Sequence, residues 1–365
     1  MSMKKIKVAQ ACNLLSAYSG NFICSLKSIE LAARNNNVQL ETIYILPKGR
    51  ADLEWIIELQ RQYKVYFITV KPFFAAAKEI YKICRKENVD VLHAHYFDQY
   101  PLALAGMFTH TKIVDHYHFF YTRSPSRWKQ VAHLLTIRLA IDKLVGCSQA
   151  SRDSLISGGV PAKMCTYITN RIDFSRLDVS KEVQPFDPTK NNLLIFGTFF
   201  YTKGCDLALR AIEPIAEKYN IVLNIVSHNL ESLMADVKHT LGYEPAWVKY
   251  SKPTECVGDY YRNAQIFLSP SRNEGFCTSI DEAAYCGCSV IKSDIESMVH
   301  GFDGEDFIRV PLTVEALRDK IVEVLEMEPE RRKAMTESFR NQVIEKFDIS
   351  IWGEEVLQVY KDVLQ

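Results

Sequence analysis

Short runs of apolar, often β-branched residues alternate along the chain with longer stretches in which apolar residues recur every three or four positions. The short runs predict seven strands in the first half and five in the second: IKVAQA from Ile6, LETIYIL from Leu40, VYFITV from Val65, VDVLHAH from Val89, KIVDHYH from Lys112, KLVGCS from Lys143, CTYITN from Cys165, NLLIFGT from Asn192, IVLNIVS from Ile221, AWVKYS from Ala246, IFLSPS from Ile266 and SVIKSD from Ser289. Intervening stretches such as FICSLKSIELAARN and AAAKEIYKICRKEN have the period of amphipathic helices. The alternation predicts βαβ units and therefore parallel sheets covered by helices.

A polar, proline-bearing segment after Asn170, LDVSKEVQPFDPTKNN, separates the two alternating regions and is typical of an interdomain linker. We therefore expect an α/β fold with two Rossmann-like domains that face each other across a cleft. The expected domains are residues 1–178 and 179–345, with a final helix over 346–365 that crosses back to the first domain. Open parallel sheets bind ligands at the carboxyl ends of their strands, so the site is expected in the loops that follow the strands.

Composition narrows the class of protein further. A length of 365 residues suits about two domains. The 44 Lys and Arg residues balance the 44 Asp and Glu residues, so no global positive charge favours nucleic-acid binding. The ten cysteines are scattered through apolar runs, which indicates a reducing, cytoplasmic compartment. The start MSMKKIKVAQ lacks the apolar stretch of a signal peptide, and no window is long and apolar enough to span a membrane.

The segment SPSRNEGFCTSIDEAAYCGCSVIKSD, from Ser269 to Asp294, carries the most specific pattern. Glu274 follows a predicted strand, and Glu282 comes seven intervening residues later, within the next predicted helix. A helix that starts near Phe276 would direct its first amides towards the strand ends, where they could bind a diphosphate. Those amides belong to Cys277, Thr278 and Ser279. The alternative is that Glu274 only neighbours the helix N-terminus and that Glu282 is a solvated helix residue.

This segment resembles the signature of the family-four retaining glycosyltransferases with the GT-B fold, in which two glutamates have the same spacing. The segments DVLHAH, NRID from Asn170 and FGTFFYTKGCDLALRAI resemble other parts of that family, so the resemblance covers nearly the whole chain. It implies transfer of a sugar from a nucleotide diphosphate sugar to an acceptor hydroxyl. It also implies an acceptor-binding first domain and a donor-binding second domain, with Glu274 beside the donor sugar and Glu282 on the ribose hydroxyls.

The turn after Gly197 matches the family's phosphate-binding turn except at one position. Gly197 and Lys203 have the expected spacing, but Thr198 stands where the family has arginine. The resemblance implies that Lys203 neutralises the leaving diphosphate and that Gly197 allows a close approach. Arg272, just before Glu274, is a candidate for the missing charge and Phe276 for a further donor contact. A solvated lysine and a surface arginine are the alternatives.

Histidine pairs end two neighbouring predicted strands of the first domain: His93 with His95, and His116 with His118. Each pair has the spacing of residues on one strand face, so a metal site is one possibility. The resemblance instead implies that His118 contacts the donor sugar, while His95 has a structural or functional role on the acceptor side. Gly20, in a loop after the first strand, is expected to border the acceptor, with a plain turn as the alternative. Cys277, Cys286 and Cys288 are interpreted as core or helix residues rather than ligands.

We expect catalysis to be mostly electrostatic, with Glu274, His118 and Lys203 as the catalytic residues and with no metal or other cofactor. No Asp-x-Asp cluster follows the relevant strands, and the three-glycine dinucleotide fingerprint is absent. The expected partners are a nucleotide diphosphate sugar, a glycan or lipid-linked acceptor of polysaccharide or envelope synthesis, and no nucleic acid. The aromatic and basic segment HFFYTRSPSRWKQ indicates peripheral membrane contact, unless it is a solvated helix face. Two alternatives remain open: a non-catalytic GT-B partner subunit and a GT-B nucleotide-sugar epimerase.

Overall fold

The structure is a computed structural model that describes residues 5–13, 20–49, 51–180, 185–295 and 308–365. Its strands are β1 Lys5–Cys12, β2 Gln39–Pro47, β3 Lys64–Ile68, β4 Val91–His95, β5 Lys112–Tyr117, β6 Lys143–Gly146, β7 Cys165–Tyr167, β8 Asn191–Phe196, β9 Ile221–Val226, β10 Val248–Ser251, β11 Ile266–Ser269, β12 Ser289–Ser293 and β13 Ile308–Val310. Its helices are α1 Gly20–Asn35, α2 Glu54–Gln62, α3 Phe73–Glu87, α4 Gln99–Phe108, α5 Arg127–Ala140, α6 Gln149–Ser157, α7 Phe174–Asp178, α8 Cys205–Ile212, α9 Leu230–Leu241, α10 Val257–Arg262, α11 Thr278–Tyr285, α12 Val314–Glu326, α13 Pro329–Lys346 and α14 Ile349–Val363, with a 3-10 turn at Ala162–Met164.

The chain forms two compact units. The first comprises Met1–Arg171 together with Ile349–Gln365, and the second comprises Ile172–Asp348. The last helix, α14, therefore belongs to the first unit, and the change of unit falls at 171/172, seven residues before the expected 178/179 boundary.

The first unit contains a parallel sheet of seven strands in the order β3-β2-β1-β4-β5-β6-β7. Its central strands are buried on both faces, which is why they consist of nearly continuous apolar runs. In β1, Ile6 and Val8 pack with α1 and α14 on one face, while Ala9 and Ala11 pack with the core of the other face. In the register of β4 with β5, His95 lies beside His116, so the histidine-bearing ends of the two strands are adjacent.

The second unit contains a parallel sheet of six strands in the order β10-β9-β8-β11-β12-β13. Leu193 and Ile195 of β8 face a core shared with α8 and α12, and Leu194 between them faces the core shared with α11 and α13. Strands β8 and β11 are direct neighbours. The loops that follow them therefore begin at the same edge of the sheet.

The expected α/β fold of two parallel-sheet domains is confirmed. All twelve predicted strands are present, and the sequence analysis missed only β13 among the described strands. All ten cysteines lie in the described part of the chain and are free thiols, eight of them buried. Among the described residues, no helix combines the length and the apolar character needed to cross a membrane.

Candidate active site

Lys203 and Glu274, both predicted to be catalytic, are in direct contact in the second unit. Lys203 lies in the loop between β8 and α8, and Glu274 lies in the loop between β11 and α11. Lys203 Nζ is 2.5 Å from Glu274 Oε1, and the hydroxyl of Ser271 donates to the same oxygen at 2.9 Å. The parallel arrangement of β8 and β11 brings the two loops to one edge, so the ion pair forms where the sequence analysis expected a ligand.

The environment of this pair keeps Lys203 positively charged. The two side chains are 25% and 12% exposed, so water screens the pair only partly. Burial acts to lower the pKa of Lys203, but the Cys277 thiol and the charge and hydrogen bond of Glu274 act to raise it, and the net shift is upward. The neighbouring Cys277 thiol carries no charge at neutral pH, because burial raises its pKa to about 11. The site therefore offers one ammonium group to an incoming anion.

Two glycines shape the turn that carries Lys203. Gly204 has a φ of +70°, and a β-carbon on it would lie 2.0 Å from the carbonyl oxygen of Pro270. Only glycine allows this close approach between the start of α8 and the loop after β11. A β-carbon on Gly197 would lie 2.7 Å from the Ile225 side chain, so Gly197 is also a position of close approach. Thr198, which follows it, is exposed.

Arg272 forms an ion pair within the second unit, so its charge is not freely available to a ligand. Its guanidinium group makes a two-pronged contact with the Asp206 carboxylate, at 2.7 and 2.8 Å. It also donates to the Tyr201 carbonyl oxygen at 2.5 Å and lies 3.9 Å from the centre of the Tyr201 ring. The side chain joins the two loops, and its charge is largely neutralised by Asp206.

Helix α11 begins at Thr278, two residues after the expected start at Phe276. Thr278 and Ser279 form its first turn, and Cys277 is the capping residue, with no capping hydrogen bond from its own side chain. Cys277 is buried, which agrees with its interpretation as a core residue, and Phe276 packs at 5.9 Å from the Phe347 ring. The N-terminus of α11 thus lies four residues after Glu274, on the same loop.

Glu282 is a buried acceptor of hydrogen bonds. One carboxylate oxygen binds the guanidinium group of Arg176, and the other accepts a hydrogen bond from the Tyr261 hydroxyl at 2.9 Å. The sequence analysis did not find Arg176 or Tyr261. Arg176 follows the NRID segment by three residues, so its position after a family-like segment was the available signal. The sequence contained no signal for Tyr261, because its helix has an ordinary apolar pattern.

Two buried ionisable residues, Asp281 and Lys292, lie in the same part of the second unit as Glu282. Neither carboxylate oxygen of Asp281 has a hydrogen-bond partner within the described chain, and Lys292 of β12 is fully buried. Burial lowers the pKa of Lys292 to about 8, against the opposing influence of Asp281. Burial raises the pKa of Asp281 well above its ordinary value. The only sequence signal was a lysine inside the apolar strand run SVIKSD.

The first unit brings the four predicted histidines together at the ends of β4 and β5. Gln10 donates to the Tyr360 hydroxyl oxygen at 3.0 Å, and that hydroxyl is 2.7 Å from His93 Nδ1. His93 Nε2 is 3.4 Å from His116 Nδ1, and His95 Nδ1 is 3.1 Å from His118 Nε2. We refer to His93, His95, His116 and His118 as the histidine cluster.

The histidine cluster is neutral at physiological pH. Burial lowers the pKa of both His93 and His118 to about 3, and it lowers the pKa values of His95 and His116 well below the ordinary range. His118 also stacks on Tyr96, with ring centres 4.2 Å apart. A neutral imidazole can exchange hydrogen bonds with a sugar hydroxyl but cannot supply positive charge. Gly20, with a φ of +53°, begins α1 and has open space around its α-carbon.

Within the described residues, three members of the histidine cluster form the only group of side chains close enough together to be candidate metal ligands. Nitrogen atoms of His93, His95 and His116 lie within 4.8 Å of one another, and Nε2 of His95 and of His116 has no hydrogen-bond partner. Zinc binds imidazole nitrogen at about 2.0–2.1 Å, which limits two ligands of one ion to about 4 Å apart. The rings would therefore have to move closer together to hold an ion.

A cavity of about 390 Å³ opens beside the histidine cluster in the first unit. Aromatic residues dominate its walls, and His118 and the buried carboxyl group of Asp115 also line it. Burial raises the pKa of Asp115 to about 7, although a hydrogen bond from Gln99 at 2.7 Å opposes this shift. Aromatic faces with a few polar groups can bind a ring that has both apolar and hydroxyl surfaces.

Comparison with known families accounts for both units. A family model described as "Glycosyl transferases group 1" matches residues 178–342, and one described as "Glycosyltransferase Family 4" matches residues 30–176. The chain belongs to the group 1 glycosyltransferases. The family that the sequence motifs indicated is therefore confirmed.

Two relatives are similar to this chain over most of its length. The glycosyltransferase is 22% identical over 361 residues to the phosphatidylinositol N-acetylglucosaminyltransferase GPI3 subunit of Saccharomyces cerevisiae, covering 88% of this chain and 76% of the relative. It is 23% identical over 310 residues to the capsular polysaccharide biosynthesis glycosyltransferase CapH of Staphylococcus aureus, covering 81% and 83%.

Solved structures show the same fold. A glycosyltransferase from Rickettsia africae has a TM-score of 0.81 at 18% identity and covers 99% of both chains. Anabaena HepE in complex with UDP and glucose has a TM-score of 0.79 at 16% identity and covers 98% of this chain and all of that one. The GT-B type of fold expected from the sequence is thus confirmed.

Proposed function

We propose that this glycosyltransferase moves a hexose from a nucleotide diphosphate sugar to an acceptor hydroxyl with retention of configuration. The observation that carries the proposal is the contact of Lys203 with Glu274 on loops that also lead into α8 and α11. The ammonium group and the amides at the start of α11 would stabilise the leaving diphosphate. Because these groups supply the positive charge, the proposed reaction requires no metal ion and no cofactor.

The contacts of Glu274 support the proposed retention. Its carboxylate oxygen Oε1 already accepts hydrogen bonds from Lys203 and Ser271, so we assign Glu274 to positioning rather than to removal of the acceptor proton. We propose that the leaving phosphate takes that proton on the same face of the sugar. Glu274 would then orient the donor and hold charge near the reacting carbon, while the neutral His118 would hydrogen-bond the sugar.

Donor and acceptor classes are proposed from the relatives and the cavity. HepE was solved in complex with UDP and glucose, which supports a UDP-hexose donor here. The names of CapH and of the GPI3 subunit support a polysaccharide or a lipid-linked acceptor. We propose that the enzyme acts in the cytoplasm and contacts a membrane peripherally when it uses a lipid-linked acceptor.

The test is release of nucleoside diphosphate from a panel of nucleotide sugars, followed by nuclear magnetic resonance of the product's anomeric centre. Lys203→Ala should lower turnover by a factor of about 10² to 10³, because the leaving group loses a charged donor. Lys203→Arg should retain part of the activity, and Lys218→Ala, at an exposed position, should be unaffected.

Other outcomes would identify a different function. Interconversion of the nucleotide sugars would indicate an epimerase. A folded wild-type protein that neither binds nor cleaves any donor would indicate a non-catalytic partner subunit. An inverted product would contradict the proposed role of the leaving phosphate.

A further inference from the structure

Helix α5 has two opposite apolar faces, and only one is buried. Ile137 and Ala140 pack into the first unit, and Gln130 on the same side donates to the Tyr121 hydroxyl at 2.8 Å. The opposite side carries apolar residues at spacings of three and four, which place them in one row along the helix. These residues are Trp128, Val131, Leu135 and Leu139, with exposed fractions of 85%, 48%, 51% and 65%. We call this row the outer face of α5.

Basic residues border the outer face on both sides. With about 100° per residue, Arg127 and Arg138 fall along one border and Lys129 along the other. All three are exposed, as is Arg123 in the preceding loop. Residues 116–141 contain these four basic residues and no Asp or Glu. The region is therefore locally cationic although the whole chain has no net charge.

The outer face is larger than the single exposed apolar residues that soluble proteins ordinarily carry. The neighbouring helix α4 packs against the buried side of α5, because a β-carbon on Gly106 would be 2.1 Å from the carbonyl oxygen of Ala140. Two more apolar residues at the end of α4, Met107 and Phe108, are 47% and 63% exposed.

We propose that the outer face of α5 binds the surface of an anionic lipid bilayer. An exposed tryptophan, a row of aliphatic residues and flanking arginine and lysine match the interface between acyl chains and negative head groups. A second copy of the chain fits less well, because a symmetric contact through this face would bring like charges together. Binding to the bilayer requires no rearrangement, since the row is already on one side of a formed helix.

This surface also bears on the acceptor, and that step rests on the proposed function. His133 of α5 lines the cavity that contains His118. The helix that would lie on the bilayer therefore forms part of the wall of this cavity, to which we assign the head group of the acceptor. A lipid-linked acceptor could enter with its head group at the cavity while its chains remain in the membrane.

Vesicle flotation tests the proposal directly. Wild type should float with vesicles of phosphatidylcholine and phosphatidylglycerol in equal parts, and poorly with phosphatidylcholine alone. Trp128→Ser combined with Leu135→Ser and Leu139→Ser should weaken binding at least about tenfold. Arg127→Gln combined with Arg138→Gln should weaken it about fivefold for each arginine, with little further loss in high salt. Brominated lipid should quench wild-type fluorescence more than that of Trp128→Phe.

Matched controls distinguish binding through this surface from non-specific adsorption to vesicles. Leu31→Ser replaces a leucine as exposed as Leu135, on α1, and Arg61→Gln replaces an exposed arginine on α2. Both variants should float like wild type. Equal flotation of the serine variant and wild type would overturn the proposal. A wild-type dimer that the serine substitutions convert to monomer, without flotation, would instead show self-association and also overturn it.

Donor cleavage without vesicles distinguishes this proposal from the proposed function. The outer-face variants should release nucleoside diphosphate at the wild-type rate, because the outer face carries no donor-site residue. Flotation without any donor cleavage would support the membrane surface and contradict the enzyme assignment. Donor cleavage without flotation would do the reverse.

Discussion

Three predicted donor-site residues already have ionic partners inside the second unit. Glu274 contacts Lys203, Asp206 contacts Arg272, and Arg176 contacts Glu282. The contacts differ in how many hydrogen-bond donors they leave available to a ligand. Lys203 has one partner oxygen and two further N–H groups, so it can bind a phosphate while it still contacts Glu274. The guanidinium group of Arg272 has both prongs on one carboxylate, which leaves less of it for a ligand.

Position 198 provides a test of this difference. Because Asp206 already binds Arg272, we expect the diphosphate site to contain fewer cations than the family pattern provides. Thr198→Arg should therefore raise donor hydrolysis, by about tenfold if it restores part of one charged contact. Product release at saturating donor measures the effect, with Thr202→Arg, at an exposed position in the same loop, as the control. No change would mean that another cation already occupies that space.

Glu282 should affect both nucleotide binding and stability. Glu282→Ala should weaken nucleoside diphosphate binding by about 1–3 kcal/mol, because ribose hydroxyls would lose a charged acceptor. It should also lower the free energy of unfolding by about 3–5 kcal/mol, since Arg176 would lose its carboxylate partner in a mostly buried site.

Calorimetry and chemical denaturation separate these two effects. Glu345→Ala, at an exposed position on α13, is the control. A lower stability with an unchanged dissociation constant would leave Glu282 with a structural role only, as the partner of Arg176 and Tyr261.

Residue-level contacts were the part of the site that the sequence analysis could least predict. The candidates Lys203, Glu274 and Glu282 came from a recognised pattern, and the parallel strand ends explain why Lys203 and Glu274 lie together. The sequence analysis did not predict that Arg176 binds Glu282 or that Asp206 binds Arg272, because a contact between side chains distant along the chain depends on helix docking. A single sequence contains no signal for that docking.

At the scale of elements, the loops after β8 and β11 depend on one backbone position. Gly204 has a left-handed conformation and touches the loop after β11. Gly242 has a similar φ of +83°, but a β-carbon on it would meet nothing within 4 Å. A side chain at Gly242 would therefore meet backbone strain alone, whereas a side chain at Gly204 would meet both backbone strain and steric overlap.

Substitution of these two glycines gives a matched comparison. Gly242→Ala should cost about 1 kcal/mol of stability from the left-handed backbone alone. Gly204→Ala should cost more, because the Pro270 carbonyl must move as well, and it should reduce turnover by displacing Lys203 from Glu274. Thermal melting and donor cleavage check both variants. Equal stability losses would show that the close contact with Pro270 is relieved without cost.

Strands were predicted better than their ends, for a physical reason. A strand buried on both faces must be apolar along its length, so the runs from Ile6 to Ser289 stood out. β13 has only three residues, Ile308–Val310, with a central arginine, and so it lacks an apolar run. The start of α11 was predicted two residues early because Phe276 continues the apolar pattern although the helix begins at Thr278.

At the scale of the whole molecule, the titratable groups that respond to mild acid are unevenly distributed between the two units. The four members of the histidine cluster lie in the first unit, and their pKa values are lowered by burial. In the second unit, the described groups with lowered or raised pKa values include Lys292, Asp281 and several thiols. The first unit also contains Asp115, whose pKa burial raises to about 7. We therefore expect the first unit to determine most of the response to acid between about pH 7.5 and about pH 5.5.

The direction of that response follows from proton uptake by the unfolded chain. Unfolded histidine has a pKa near 6.5, whereas His93 and His118 in the fold bind protons only near pH 3. Below about pH 6.5 the unfolded state therefore binds more protons, and stability falls as the pH falls. Between about pH 7.5 and about pH 5.5, each buried histidine should cost about 1.4 kcal/mol. Asp115 acts in the opposite direction, because burial raises its pKa to about 7 and the fold therefore takes up its proton in this range before the unfolded chain does. With four histidines against one carboxyl group, the net effect of acid is a loss of stability. Denaturant unfolding across this range measures the total change in the free energy of unfolding.

Two histidine variants test the contribution of the cluster. His118→Asn should make the dependence of stability on pH shallower by the share of one histidine, whereas His110→Asn, at an exposed position, should leave it nearly unchanged. If His118→Asn leaves the pH dependence the same as in wild type, His118 must already exchange its proton with water in the folded state, and the neutral role proposed for it at the sugar would be wrong.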